Sequence, residues 1–498
     1  MPTERLSESE PRTDMALLSS HIWRISRRER RVIGLLVIIA ALYAVQSIGF
    51  LQKAQPTIVQ VSLVSKEGIK PEGEAERPVA EVARQVEADH WTLPRNSLNY
   101  PYPTTTAREN LKNGTYYVTG FALAGFTNQF IAYMHLIYLG IQSERIPVIP
   151  PVTPSSHVSN KAGALRFSRV FNISATSNNL RRPVLEWAHI KEYQENASVS
   201  VVPQGTDPSV EQLGCWSVRQ RNFPTPIWVP IAENVLKVDL SFTRVPPIAF
   251  FDENNQGDVH TKFSALASLI MPKYPHPASK GLPLMAKSRL GSSLPPGEHM
   301  ACFDFLYYVS SGLRRHEFEN RWSPAWNSVG THIRFTDELV MLARGYIQRA
   351  MGLEGEIIPP IITLHIRRGD FRNHCKKGMV PPCYIPLQKY HDAIESVRTE
   401  LLATQNINAT RVLVASDERD PEFWKEVLGY GWHYLNHTAE RTLERYGEWY
   451  PVLIDTTALS IGSGFVGTKS STFSVLTARR VEDWNGGLTD MVDYFAKD

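Results

Sequence analysis

The sequence predicts an α/β protein made of two Rossmann-like domains that face each other across a cleft, carried behind a single transmembrane helix and a stem. Three observations predict this. Two separate series of short β-branched, apolar runs alternate with helical stretches, one starting near residue 115 and the other near residue 359. Each series passes from a strand into a glycine-bearing or polar turn, which is where parallel α/β sheets present their ligand crevices. Ahead of both, residues 32–52 hold no charged side chain.

Composition sets the outer limits. The chain has 498 residues, 53 Lys and Arg against 50 Asp and Glu, a net charge of +3 and 43% hydrophobic residues. That is too apolar and too weakly charged for a disordered chain. The balance is too even for a protein that grips nucleic acid by bulk charge, so no nucleic-acid partner is expected. Four Cys in this length do not make a disulfide-built scaffold.

Residues 1–31 form a polar tail with no apolar period. The 21 residues of 32–52 would give a helix of about 31 Å, enough for one crossing of the hydrocarbon core. Arg24, Arg27, Arg28, Arg30 and Arg31 precede it, whereas Lys53, Lys66 and Lys70 follow more sparsely. The positive-inside rule then leaves the N-terminus cytosolic and the rest lumenal, a type II topology in the Golgi or endoplasmic reticulum. A cleaved signal peptide would start nearer residue 1 and be shorter, and a core helix would show a polar face. Asn-x-Ser/Thr sequons at Asn113, Asn172, Asn196, Asn408 and Asn436 all follow the anchor, as a lumenal domain requires. Cys375 and Cys383 are near enough in sequence to close a small loop, and Cys215 and Cys302 could pair separately; the alternative is buried free thiols.

Residues 53–112 read as a charged, aromatic-poor stem. An N-terminal Rossmann-like domain with insertions is expected over 113–353. It opens with a strand at TYYVT (115–119), a small-residue loop at 120–126 and a buried helix at TNQFIAYMHLIYLG (127–140), with Thr127 as cap and Gly140 as stop. RIPVIP (145–150) is a second strand. His135 reads as a core histidine. Residues 175–330 are rich in Pro, Ser and Asn and read as insertions and loops. Thr336 caps a helix over 337–352. The C-terminal domain, 354–498, holds strands at PPIITLHI (359–366), RVLVAS (411–416) and GFVGT (464–468), with a helix at SVLTARR (474–480).

Three segments carry chemistry. In AGFTNQ (124–129), Gly125 opens the backbone to a ligand and the following helix N-terminus offers N–H groups to an anion. In HIRRGDF (365–371), two arginines follow a buried strand. Arginine's fork of donors suits phosphate oxygens. Strand alternation places His365 and Arg367 on one side and Arg368 on the other, so Arg367 faces the cleft while Arg368 is structural. The alternative for either arginine is an ion pair with Asp370 or Asp417. In FVGTKSSTFS (465–474), Ser470, Ser471 and Thr472 place hydroxyls and N–H groups ahead of a helix, either to receive phosphate or simply to cap it. Asp455, upstream, is placed to accept hydrogen bonds from a base or ribose.

On these segments the chain resembles the GDP-fucose protein O-fucosyltransferases within the wider α1,2/α1,6/O-fucosyltransferase group. HIRRGD is similar to that family's H-x-R-R-x-D segment. IDTTALSIGSGFVGTKSSTFS (454–474) resembles its C-terminal stretch, nearest to the branch that modifies thrombospondin-type repeats, and AGFTNQ resembles its G-x-x-N-Q segment. The resemblance implies a GT-B-like, two-domain architecture. It implies inverting transfer of fucose from GDP-fucose with no metal and no cofactor. It implies a lumenal Ser/Thr hydroxyl as acceptor, with a glycan acceptor as the close rival. It assigns Arg367 to the leaving diphosphate with His365 in support, Asp455 to guanosine, and Ser471, Thr472 and Phe473 to the phosphates and sugar. Gly125 and Asn128 line the cleft from the first domain, and Arg368 and Asp370 support it. That branch carries a Glu just before the motif glycine as the presumed base. Here the position is Ala124, which leaves the general base unassigned and admits a catalytically silent, GDP-sugar-binding protein as a further reading.

Overall fold

The computed structural model describes residues 102–155, 157–195, 210–312, 316–355, 357–373, 375 and 381–493. The expected tail and the 32–52 anchor lie outside them, as does the Asn196 sequon. Among the described residues no helix is long and apolar enough to cross a membrane.

The first series begins with β1 (Tyr117–Gly120), α1 (Phe126–Gln142) and β2 (Ile146–Ile149). Helix α1 starts one residue before Thr127 and is capped by Gly125, so Thr127 is not the cap. Nor does Gly140 end the helix. It sits inside it because a Cβ there would come within 3.0 Å of the Arg145 carbonyl and 3.1 Å of Pro147, where β2 packs back on the helix. The end falls at Ser143, whose hydroxyl donates to Leu139 O at 2.7 Å. His135 is fully buried, with Nδ1 2.7 Å from Leu306 O, and burial pulls its pKa down to about 4.

The stretch read as insertions completes the first sheet. It contributes α2 (Ile173–Leu180), β3 (Leu185–Glu186), β4 (Glu211–Ser217), β5 (Val238–Arg244), β6 (Thr261–Lys262), α3 (Phe263–Leu269), β7 (Met300–Phe303), β8 (Val309–Ser310) and α4 (Pro324–Ser328). The sheet runs β3-β2-β1-β7-β4-β5, every pairing parallel, while β6 and β8 form a small ribbon. Cys215 on β4 and Cys302 on β7 are disulfide-bonded. At the end of the expected stem, Asn110 is buried and donates to Ile190 O at 2.9 Å, so that segment is part of the domain.

Helix α5 (Asp337–Ala350), capped by the Thr336 hydroxyl, leads to the second series. This comprises β9 (Ile361–Ile366), α6 (Leu387–Gln405), β10 (Arg411–Ser416), α7 (Pro421–Gly429), β11 (His433–Tyr434), α8 (Thr442–Tyr446), α9 (Tyr450–Leu459), β12 (Gly464–Thr468), α10 (Thr472–Asn485) and β13 (Leu488–Val492). Its sheet runs β11-β10-β9-β12-β13, again parallel throughout. The central strands are apolar on both faces because helices cover both, which is why they read as continuous β-branched runs.

One apolar core passes from the first series into the second, with Phe130, Trp326 and Phe335 in the same cluster as Leu453 and Leu476. Arg480, on α10, lies inside it with no exposed surface. Its guanidinium stands 4.7 Å from the Phe130 ring centre, 4.8 Å from Phe335 and 5.5 Å from Trp484. Nη1 donates to Thr456 Oγ1 at 3.0 Å, and no carboxylate pairs with it among the described residues. Burial lowers its pKa to about 9, so it stays charged near neutrality, stabilised by the aromatic faces.

Candidate active site

In each sheet the strand order reverses beside the first strand of the series: β1 lies between β2 and β7, and β9 lies between β10 and β12. A parallel sheet opens a crevice beyond its strand ends at such a point. The turns after β1, β9 and β12 therefore converge. They line a cavity of about 640 Å³ that contains Gly125, Asn128, His365, Arg367, Asp370, Asp455, Ser471, Thr472 and Phe473. Arg368 is not among its lining residues.

Two helices start in this cavity. α1 has Gly125 at its cap position and α10 has Ser471, and neither cap side chain bonds to its helix. Their first turns, FTNQ and TFSV, contain no acid. Both ends thus keep unpaired N–H groups and positive dipole ends toward one space, an arrangement suited to an anion. The left-handed backbone before α1 belongs to Ala124 (φ 72°), not to Gly125, whose φ of −61° is open to any residue. Gln129 Nε2 and Ser155 Oγ both donate to Ala124 O, at 2.8 and 2.6 Å, and hold that turn. Ser470, ahead of α10, is likewise left-handed (φ 68°). Thr472 Oγ1 donates to Asn128 Oδ1 at 2.8 Å and lies 3.0 Å from Thr127 Oγ1, so the two helix ends are joined to each other.

Arg367 follows β9. Its backbone N–H donates to Thr468 Oγ1 at 2.9 Å. Its guanidinium meets Asp417 Oδ2 at 2.8 Å, Asp370 Oδ1 at 2.9 Å and His157 Nε2 at 3.0 Å. The ion pairs weighed as an alternative for both arginines thus fall to the side chain of Arg367. Arg368 turns away, as alternation requires. Its Nε meets Glu418 Oε2 at 2.7 Å, and its guanidinium lies 3.7 Å from the Tyr384 ring centre and 4.5 Å from Phe423. Asp417 also accepts from the backbone N–H groups of Arg368 (2.8 Å) and Gly369 (3.1 Å). A Cβ on Gly369 would stand 2.4 Å from that carboxylate, which is why glycine occupies the turn.

His365 is buried on β9 and stacks on Phe473, ring centres 4.5 Å apart. Its Nδ1 is 2.8 Å from Ser474 Oγ, which also accepts from Thr468 N at 3.0 Å. Burial is the main force lowering its pKa, to about 3; the Arg367 charge adds to it and Asp417 opposes it. His365 is therefore neutral.

Asp455, on α9, accepts from His437 at 2.9 Å. Behind it, His437 Nδ1 is 3.1 Å from Thr442 Oγ1, which is 2.8 Å from Tyr346 OH. Burial pulls the His437 pKa down, but the hydrogen bond and charge of Asp455, with the charge of Glu440, outweigh it and the net shift is upward. His433 and His437 do not converge: His433 Nδ1 faces Ala350 O at 3.2 Å. Among the described residues no group of three or more His, Cys, Asp or Glu side chains is placed to hold a metal ion. Cys375 and Cys383 are disulfide-bonded beside the site.

Sequence reasoning missed His157, His437 and Glu448. His157 sits in the Ser- and Pro-rich stretch 151–160, where no periodicity marks it. His437 is identifiable only once α9 brings Asp455 to it. Glu448 lines the cavity from the turn before α9.

No family model matches the chain, and no curated protein matches it. Among solved structures, the chain is similar to a crystal structure of POFUT1 in complex with GDP-fucose, at 15% identity over 77% of this chain and 99% of that one, with a TM-score of 0.44. It is also similar to NodZ α-1,6-fucosyltransferase soaked with GDP-fucose, at 13% identity over 74% of this chain and 93% of that one, TM-score 0.35. A structure of fucosyltransferase NodZ from Bradyrhizobium matches at 13% identity over 73% of this chain and 93% of that one, TM-score 0.35.

Proposed function

We propose that the protein is an inverting, metal-independent glycosyltransferase of GT-B-like architecture. It transfers fucose from GDP-fucose to a Ser/Thr hydroxyl of a lumenal protein, from a single-pass anchor in the Golgi or endoplasmic reticulum. The observation that carries this reading is the convergence of Arg367 and two uncapped helix N-termini on one cavity that Asp455 also lines. Departure of GDP builds negative charge on the diphosphate. Arg367 and the starts of α1 and α10 are donors to that charge without a metal, with the neutral His365 lining the same space. Leu443, Trp449 and Val452 give an apolar wall beside Asp455. That suits a flat base whose N–H edge the carboxylate accepts. The exposed sequons at Asn113, Asn408 and Asn436 support a lumenal setting.

The Ala124 position favours one second reading, a GDP-sugar-binding protein without turnover. Incubation of the full-length protein with labelled GDP-fucose, in EDTA, separates them. The panel of acceptors holds thrombospondin-type repeats, N-glycans and water. The expected result is label on a Ser or Thr with inverted anomeric configuration. Tight GDP binding with no transfer and no hydrolysis would establish the silent reading, and transfer to the N-glycan alone would change the acceptor class.

A further inference from the structure

Resting on the fucosyltransfer reading, we propose that His157 is the general base that takes the proton of the acceptor hydroxyl. The half of the cavity formed by the first series is lined by Ala124, Gly125, Thr127, Asn128, Ser155, His157 and a few apolar or phenolic neighbours. Of these only the imidazole takes up a proton near neutrality, since burial pushes the Tyr307 hydroxyl upward. The second series supplies Arg367, His365 and the start of α10, which together with the start of α1 are the groups assigned to the leaving diphosphate. Inversion sets the attacking hydroxyl opposite the C1–O bond that breaks, so its base must be a group that is not itself committed to the leaving diphosphate. His157 meets this requirement. It is exposed to an incoming acceptor, and its Cδ2 lies 3.5 Å from where a Cβ on Gly125 would stand.

Two of the four carboxylates that line the cavity are otherwise engaged. Asp417 is tied to two backbone N–H groups and to Arg367, and Asp455 to His437. Glu448 lines the cavity beside Trp449 and is a competitor for the role. Asp370 shares Arg367 Nη2 with His157 and is the other competitor.

Nε2 of His157 accepts from Arg367, so it is unprotonated and Nδ1 carries the ring hydrogen. When Arg367 turns to the diphosphate, this lone pair is released. The acceptor oxygen bonds to the sugar C1 and the C1–O bond breaks with its electron pair going to the β-phosphate. The acceptor proton passes to Nε2, and the imidazolium later returns it to water. The charged groups facing His157 are Arg367, Asp370 and Asp417. Partial burial and the Arg367 charge lower its pKa, against the two carboxylates, which keeps the base free at neutral pH.

The test uses full-length protein, GDP-fucose, and both the acceptor that the panel identifies and water. For His157→Gln and His157→Ala, kcat should fall about 10²–10⁴-fold, with GDP affinity within threefold of wild type. Wild-type kcat/KM should decline on the acid side with a midpoint below 6.5, and His157→Gln should lack that limb. Imidazole should partly restore His157→Ala, an effect no structural role produces. Near-normal kcat in both variants would overturn the proposal. So would loss of the acid limb in Asp370→Asn with retention in His157→Gln. A wild-type protein with neither transfer nor hydrolysis would overturn the fucosyltransfer reading and the base together, whereas an active enzyme indifferent to His157 would overturn the base alone.

Discussion

Thr472 and Asn128, 344 residues apart, share a 2.8 Å hydrogen bond that ties the first residue of α10 to the first turn of α1. The hydroxyl that the motif suggested for phosphate is therefore already engaged, and Thr472 offers its backbone N–H to a ligand instead. Replacing it with Val removes the bond and leaves Asn128 Oδ1 and Thr127 Oγ1 without their partner. A neutral hydrogen bond contributes about 0.5–1.5 kcal/mol. Thr472→Val should lower stability by about 1 kcal/mol in urea titration and weaken GDP binding, because the two helix ends no longer hold a common position.

Arg367→Ala should reduce kcat/KM about 10²–10³-fold. Asp370 is 63% exposed, and Asp417 keeps two backbone donors, so solvent screens both once the arginine is gone. Thermal stability should change little. An Arg367→Ala protein with near-normal transfer would show that the diphosphate binds elsewhere.

Ser471→Ala separates capping from binding. An N-cap serine replaced by alanine ordinarily costs about 0.5–2 kcal/mol. Ser471 makes no cap bond, so the melting temperature should hold while GDP affinity, by calorimetry, falls about tenfold or more, as expected for a hydrogen bond to a charged group.

His437 supplies a pH dependence. Its folded pKa lies above its unfolded one. The associated stability is thus fully present below about pH 6.5 and is lost as pH rises through the folded value. His437→Gln should be less stable than wild type at pH 6, and the difference should narrow toward pH 8. GDP affinity in the variant should drop more than kcat, since His437 acts by holding Asp455. A pH-independent stability difference would show that His437 remains neutral.

Much of the site was legible because its signals are local. Strand, turn and helix N-terminus lie within a few residues at Gly125, Arg367 and Ser471, and strand alternation alone separated Arg367 from Arg368. Residues 175–330 were opaque for the opposite reason. β4 and β5 are seven residues each but stand among Pro-, Ser- and Asn-rich loops, and the four-residue β7 enters the sheet between β1 and β4 through long-range pairing that no window of sequence reveals. Thr127 looked like a cap because a β-branched hydroxyl there has the right chemistry. The chain starts α1 earlier, with the strain of a left-handed residue placed on Ala124, a conformation that costs about 1–2 kcal/mol outside glycine. The partners of Arg367 and Asp455 also come from distant segments.

Helix α10 begins in the cavity and ends clasped by the first series. Arg479 donates to Phe318 O at 2.8 Å, Trp484 Nε1 to Thr331 O at 3.1 Å, and Arg480 sits in its aromatic box. Swinging the two sheets apart would drag a charged guanidinium out of that box and strip these bonds in one motion. On the proposed function, nucleotide exchange would then proceed through movements of rim side chains and short turns while these contacts hold. X-ray scattering should give the same radius of gyration with and without GDP, and product release should follow the mobility of the rim.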